Sequence, residues 1–273
     1  MTHPKINLHT HTSRSDGSLS VADVMQILRE KGYDMIALTD HDTVAGNAEA
    51  ARHCADMGMK FVPGVELTTY LADEIGILDP SYKVHIVGLG IDSAVIHSVV
   101  QETEKRKVEF HAQLLSKWLS DEEIRGCNLC NRIACSEQLV QKGIFENIEA
   151  ALPFFSVSSY CLSIPDTIRV IHDAGGVAIW AHPYYLPHNG GHRISHDEVR
   201  KIYAYMKAHQ LDGMEAYYAT FSADEQAFLA GLCEEDGLFC STGTDFHGDS
   251  PSETLLLEQT QAVDMRLLSR LGF

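Results

Sequence analysis

The sequence predicts an α/β fold: a distorted barrel of about seven strands with a helical insertion after the fourth. Three observations carry this expectation. Short apolar runs alternate with segments that begin and end as helices do. Several runs are almost wholly apolar rather than alternating, as strands buried on both faces of a parallel sheet or barrel are. One long stretch, from Ser93 to Ser159, offers helical segments and no convincing strand.

The strand candidates lie near Lys5–His9, Met35–Thr39, Lys60–Val65, Val84–Gly90, Gly176–Ala181, Gly213–Ala216 and Leu238–Thr242. The helices between them have recognisable ends. Ser20 with Asp23 opens one whose apolar positions include Val24, Ile27 and Leu28, and Gly32 can stop it. Ser195 with Glu198, and Ser222 with Glu225, are capping-box patterns. Ser163-Ile164-Pro165-Asp166 places a cap before an early proline, and Gly175-Gly176 ends that helix. In the insertion a long helix is expected through Val99, Glu109, Leu115 and Trp118. The boundaries so drawn are 1–92 and 160–273 for the barrel and 93–159 for the insertion.

A chain of 273 residues, 45% hydrophobic and 22% charged, has room for a sizeable core and the composition of a soluble protein. No apolar run approaches the ~20 residues of a membrane helix, and the first residues lack the apolar stretch of a secretory signal. A cytoplasmic location and no membrane partner are expected. The net charge of −17 argues against a general nucleic-acid-binding surface. It is compatible with an anionic substrate, because bound divalent cations would reverse the local field. Seven cysteines fit reduced thiols better than a disulfide framework. Cys127, Cys130 and Cys135 lack the fourth ligand of a zinc-finger spacing and are expected to be buried or half-buried thiols.

Histidine is the anomaly, with 15 in the chain, and it is the commonest metal ligand near neutral pH. His9-Thr10-His11 closes the first strand candidate, where residues two apart share a face. Alone that motif is weak. Asp16 follows in Ser15-Asp16-Gly17. The second strand ends in Thr39-Asp40-His41, the third in Gly64-Val65-Glu66, the fifth in Ala181-His182-Pro183 and the seventh in Gly243-Thr244-Asp245-Phe246-His247, while His85 begins the fourth. Packing has no reason to put ligand types at successive strand ends, whereas barrel active sites are assembled there. His53, His97, His111, His172 and His209 fall on helices and are expected to be structural or exposed.

These motifs, in this order and over almost the whole chain, resemble those of the PHP (polymerase and histidinol phosphatase) phosphoesterases. Ser15-Asp16-Gly17 and the insertion before Ala-His-Pro are most similar to the branch that includes nucleoside 3′,5′-bisphosphate phosphatases and 5′-3′ exoribonucleases. The resemblance implies a PHP barrel and three metal sites: His9, His11, Glu66 and Asp245; Glu66 shared with His85 and His182; and Asp16, His41 and His247. Two or three divalent ions are implied, and nitrogen and oxygen donors suit Mn, Fe or Zn.

The expected activity is hydrolysis of a small phosphorylated substrate, a nucleoside 3′,5′-bisphosphate or short oligonucleotide first, by metal-activated hydroxide attack on phosphorus. No long nucleic acid is expected as a partner. Asp40, beside a ligand, is the candidate to orient His41 or relay protons, or else to support the ligands from behind without touching the reaction. Arg14, Arg132, His192 and Arg193 are the candidate phosphate contacts. Arg132 matches a Gly-Arg-x-His segment of that branch, here Asn131-Arg132-Ile133-Ala134, without the glycine and the histidine. A histidinol-phosphate phosphatase, a non-catalytic metal-binding PHP module and an amidohydrolase-type carbon–nitrogen hydrolase are the other readings. The last usually has a lysine where Glu66 stands.

Overall fold

Seven strands succeed one another around a nearly closed sheet in the order of the chain: β1 (Ile6–Asn7), β2 (Met35–Leu38), β3 (Lys60–Tyr70), β4 (Lys83–Leu89), β5 (Val177–Trp180), β6 (Gly213–Tyr218) and β7 (Phe239–Gly243). This computed structural model describes residues 4–71, 75, 83–186, 192–248, 250–259, 262 and 264–273. The barrel closes between its first and last strands. The Leu8 amide donates to the Thr242 carbonyl at 3.1 Å, the Asp245 amide to His9 at 3.0 Å and the His11 amide to Phe246 at 2.8 Å.

Two features differ from the sequence expectation. β4 runs antiparallel to both β3 and β5, whereas the other neighbours are parallel. Tyr70 pairs directly with Lys83, so the chain turns back on itself where a parallel arrangement would need a crossover element. β3 also continues past Glu66 to Tyr70, where it pairs with β4; that half carries Glu66, Thr68 and Thr69 and so does not read as an apolar run.

Alternation along each strand sorts the core into layers. Met35 and Ala37 of β2 face the barrel interior with Val62, Val87 and Ile179, and Leu267 and Leu268 of a C-terminal helix pack among them. Ile36 and Leu38 face outward onto helices α1 (Val21–Glu30) and α2 (Asn47–Met57) through Val24, Leu28 and Ala50. Ala178, Trp180, Met214 and Ala216 face outward in the largest apolar cluster. The inward positions above the Val62–Val87 level are polar: Glu66 on β3, His85 on β4 and Glu215 on β6.

After β4 comes α3 (Ser93–Leu115), then α4 (Asp121–Arg125), α5 (Arg132–Gln141) and α6 (Ile148–Ala151). Leu114, Leu115, Leu119, Cys135, Leu139 and Phe155 form a core of their own there. α3 ends at Leu115, so Trp118 lies just beyond the helix expected to include it. Leu162–Ser163 pairs with the end of β3 and returns the chain to the barrel. The later helices are α7 (Ile164–Asp173), α8 (His196–Ala208), α9 (Ala223–Asp236), α10 (Pro251–Leu256) and α11 (Met265–Arg270). Ser20, Ser163, Ser195 and Ser222 cap their helices as the sequence suggests. Among the described residues no helix is long and apolar enough to cross a membrane.

Candidate metal centre

The nine candidate ligands meet at one end of the barrel. His9 and His11 follow β1, held in place by Thr10 between them. The Thr10 amide donates to Thr39 Oγ1 at 3.0 Å and its hydroxyl to the Ala37 carbonyl at 2.7 Å. His41 follows β2, and His182, Asp245 and His247 follow β5 and β7. His85 stands at the start of its strand rather than the end, and the antiparallel course of β4 brings that start to the same rim.

Glu66 is the centre of the cluster. Its Oε1 lies 3.0 Å from His85 Nδ1 and 3.1 Å from His182 Nε2. Its Oε2 lies 3.0 Å from His9 Nε2, 3.1 Å from His11 Nε2 and 3.2 Å from His41 Nδ1. Asp245 Oδ1 stands 3.2 Å from His9 and 3.0 Å from His11. Asp16 Oδ1 and Oδ2 reach His247 and His41 at 3.4 and 3.5 Å. His182 and Asp245 adopt positive φ, 32° and 52°, a conformation rare for non-glycine residues and concentrated at functional sites.

These donors fit divalent cations. His11 Nδ1, His41 Nδ1, His85 Nδ1 and Asp245 Oδ1 are buried without a hydrogen-bond partner, a costly state for polar atoms. Donors about 2.1 Å from an ion in octahedral geometry stand about 3.0 Å from one another, close to the spacings around Glu66. Among the described residues three groups converge tightly enough to share an ion: His9, His11, Glu66 and Asp245; His41, Glu66 and His85; and His11, Asp16, His41 and His247. The first is the set expected from the sequence. The other two add His41 to Glu66 and His85, and His11 to the Asp16 set, while His182 reaches the Glu66 oxygen that His85 also meets.

Charge balance follows from this crowding. Burial alone would raise the carboxyls of Glu66 and Asp245, but the imidazoles around them, His9 first, hold both well below the usual carboxylate range. Burial, with His85 and His11 nearby, drops His41 to about 4.

Glu215 was invisible to the motif reading. It sits on β6, buried, with Oε1 and Oε2 3.1 and 3.3 Å from His9 Nδ1, and Oε2 also accepts the His182 amide at 2.8 Å. The available signal was a carboxylate inside the apolar run Gly213-Met214-Glu215-Ala216. Tyr218, also missed, donates from its hydroxyl to Asp245 Oδ2 at 3.1 Å.

Asp40 stands behind the ligands, the supporting place that was one of its two expected roles. Its carboxylate accepts the Thr12 amide and hydroxyl at 2.7 and 2.8 Å and the Ser15 hydroxyl at 2.8 Å, so it ties down the loop that carries Asp16 rather than engaging His41. Gly17 in that loop packs on Thr12, where an added Cβ would stand 2.8 Å from backbone atoms.

The candidate phosphate contacts divide. Arg14 borders a cleft of about 550 Å³ beside Asp16 and His41, with its guanidinium bonded to Glu49 at 2.8 Å. Arg132, at the start of α5, is an electrostatic neighbour of Lys83. Arg193 is committed elsewhere: it pairs with Glu225 and lies over the Tyr185 ring at 4.8 Å. The His192 side chain lies outside the described residues. Lys83 and Lys107, which no motif suggested, line the same cleft as Arg14. A second cleft, bordered by Tyr185, Leu186, Tyr218 and Thr220, opens directly over His85, His182 and Asp245.

Of the helical histidines, His111 is buried and His172 bonds Asp212 at 2.7 Å, whereas His97 is exposed and borders the larger cleft. All seven cysteines are free, Cys127 half-buried and Cys135 buried as expected, but Cys130 exposed.

The comparisons agree with this geometry. The chain is 32% identical to a 5′-3′ exoribonuclease of Haemophilus influenzae, over 89% of its own length and 90% of that protein's. It is 28% identical to a 3′,5′-nucleoside bisphosphate phosphatase of Chromobacterium violaceum, over 89% and 87% of the two lengths. A solved structure from the same species, described as an amidohydrolase with bound sulfate and no metal, superposes with a TM-score of 0.68 at 26% identity, covering 97% of this chain and 96% of that one. The PHP domain family matches residues 7–151, more than half of the chain, and with the relatives above this places the protein in the PHP domain family.

Proposed function

We propose that this protein is a metal-dependent phosphoesterase that hydrolyses phosphate esters of nucleotides or short oligonucleotides. The observation that carries the reading is Glu66, whose two oxygens each face a separate set of imidazoles and so can bridge two cations. The ligand positions are His9, His11, Asp16, His41, Glu66, His85, His182, Asp245 and His247, holding two or three ions. Their nitrogen and oxygen chemistry suits Mn, Fe or Zn.

Divalent ions, when bound, supply the charge that lets water ionise near neutral pH and that neutralises phosphoryl oxygens. The chain's own part is orientation. Glu215 fixes His9, and Tyr218 holds one oxygen of Asp245 so that the other faces His9 and His11. Asp40 anchors the loop of Asp16. The aromatic wall at Tyr185 and Tyr218 suits the ring system of a nucleotide, and the basic wall at Lys83 and Lys107 suits its charge. The exoribonucleases among the relatives support strand ends as substrates beside mononucleotides, although the acidic surface disfavours a long nucleic-acid track.

The test is phosphate release by the purified chain loaded separately with Mn²⁺, Fe²⁺ or Zn²⁺, on nucleoside 3′,5′-bisphosphates, 5′-phosphorylated oligonucleotides and histidinol phosphate. Turnover of the nucleotides that chelation abolishes is expected. Turnover of histidinol phosphate alone would move the assignment to that alcohol, and no turnover with any metal would leave a binding module.

A further inference from the structure

Of the three groups of candidate ligands, the one that contains Asp16, His41 and His247 is the most exposed. His9, His11 and Glu66 are held by the buried core around them, whereas Asp16 and His247 sit on loops with side chains 55% and 28% exposed. Ligands on loops keep a common focus only where other groups hold their backbone. The His247 ring is set by its own loop: Nδ1 donates to the Asp245 carbonyl at 2.7 Å, which leaves Nε2 the acceptor, 3.4 Å from Asp16 Oδ1. The ring also stacks on His11, with centroids 4.2 Å apart and planes 17° from parallel. The main chain beneath it is held from two sides. The Ser18 amide donates to the His247 carbonyl at 2.7 Å and joins this loop to that of Asp16. From the other side, Glu253 Oε2 accepts the His247 and Gly248 amides at 2.5 and 2.7 Å.

Glu253 belongs to a pattern that recurs at three other helices. Ser120 with Glu123, Ser195 with Glu198 and Ser222 with Glu225 are reciprocal caps, in which the glutamate Oε2 accepts the amide of its own serine. Ser250 caps α10 in the same manner, its Oγ accepting the Glu253 amide at 3.4 Å. The Glu253 carboxylate reaches beyond that cap, to amides five and six residues back along the chain. An ionised acceptor shared by two N–H groups makes charge-assisted bonds, stronger than neutral ones. Helix capping does not require them, and the segment they fix is the one that carries His247.

We propose that Glu253 is a positioning residue: it fixes the main chain of His247 so that Nε2 shares one focus with Asp16 and His41. It lies outside every ligand motif and acts through backbone amides. The inference rests on the reading of Asp16, His41 and His247 as a cation site.

Two measurements on the full chain separate support from ligation. Hydrogen exchange of chelator-treated protein, read by mass spectrometry on the peptide that carries His247 and Gly248, reports the restraint itself. Titration with Mn²⁺, followed by elemental analysis, reports the group that the restraint serves. Glu253→Ala should speed exchange of those amides roughly tenfold or more, and weaken the binding of one Mn²⁺ roughly 10- to 100-fold with the others unaltered. Glu253→Gln keeps a side-chain carbonyl for both amides and should restore most of each loss. Glu123→Ala, which breaks a cap of the same design on α4, should change neither reading. Asp16→Ala tests the assignment beneath, because it removes a ligand of the same group and should lose the same ion. Wild-type exchange in Glu253→Ala, or equal losses in its alanine and glutamine variants, would overturn the proposal. So would a Glu253→Ala protein that keeps every ion while Asp16→Ala loses one. If Asp16→Ala also keeps every ion, the cation site falls instead, and faster exchange in Glu253→Ala that glutamine reverses still assigns the His247 backbone to Glu253.

Discussion

Glu215 holds His9 from behind: its carboxylate oxygens lie 3.1 and 3.3 Å from Nδ1, and the far ring nitrogen, Nε2, stands 3.0 Å from Glu66. A carboxylate at Nδ1 accepts a hydrogen bond from Nδ1–H and so keeps the ring proton there, which leaves the Nε2 lone pair directed at the metal centre and raises its basicity. Glu215→Ala should therefore weaken metal affinity roughly 10- to 100-fold, the usual cost of losing such a support. Titration calorimetry with Mn²⁺ measures it, and Glu215→Gln, which retains an acceptor for the His182 amide, should recover part of the loss. Unchanged affinity in the alanine variant would remove Glu215 from the machinery.

Gly243 is required by the same arrangement. A Cβ there would stand 2.2 Å from Glu215 Oε1 and 2.4 Å from His9 Cβ, both packed groups with nowhere to retreat. Gly243→Ala is expected to destabilise the fold by about 1–3 kcal/mol, as overpacking does, and to lower metal content as well. Gly231 of helix α9 is the contrast, since a Cβ at that position meets nothing. Gly231→Ala should stabilise by about 0.5–1 kcal/mol in denaturant titrations, with metal content unaltered.

The legible part of this protein was what repeats in one dimension. Apolar runs marked β2, β5 and β7 within a residue or two, and serine caps marked α1, α7, α8 and α9, because both signals are local. The cluster of ligand types was legible because its members recur in or just after successive strands in a recognisable order. The antiparallel course of β4 was not, since strand direction depends on which partner completes the ladder. Glu215 and Lys83 were missed for a different reason. Each is a single charged residue in or beside an apolar strand, and its meaning comes from what lies across the barrel: His9 for one, Lys107 and Arg132 for the other.

Asp40 separates the loop from the core of the centre. It accepts three hydrogen bonds from Thr12 and Ser15, and its loss leaves the buried Thr12 amide without an acceptor, at about 1–3 kcal/mol. Asp40→Ala should free the segment that carries Asp16, so an ion bound at Asp16, His41 and His247 would be lost first. Elemental analysis is expected to show reduced stoichiometry, with whatever metal the Glu66 sets bind retained. A variant that lost every ion together would mean that the loop and Glu66 act as one unit.

The insertion should have its own acid sensitivity, set by His111. Its ring is buried, donates a 2.7 Å bond from Nδ1 to the Leu129 carbonyl, and meets Phe155 and Tyr160 edge-on. Burial lowers its pKa from the ordinary 6.5, and the Leu129 carbonyl opposes that only in part. The folded state thus binds the proton less readily than the unfolded chain. Stability from this site is complete above the unfolded value of about 6.5 and is lost as pH falls through it toward the depressed folded pKa. Trp118 packs against the insertion core and reports on it by fluorescence. Between about pH 7.5 and pH 5, the denaturant midpoint seen by Trp118 should fall in wild type and fall less in His111→Gln, which cannot take up that proton. Equal slopes in the two proteins would show that acid acts elsewhere, on the imidazoles of the metal centre.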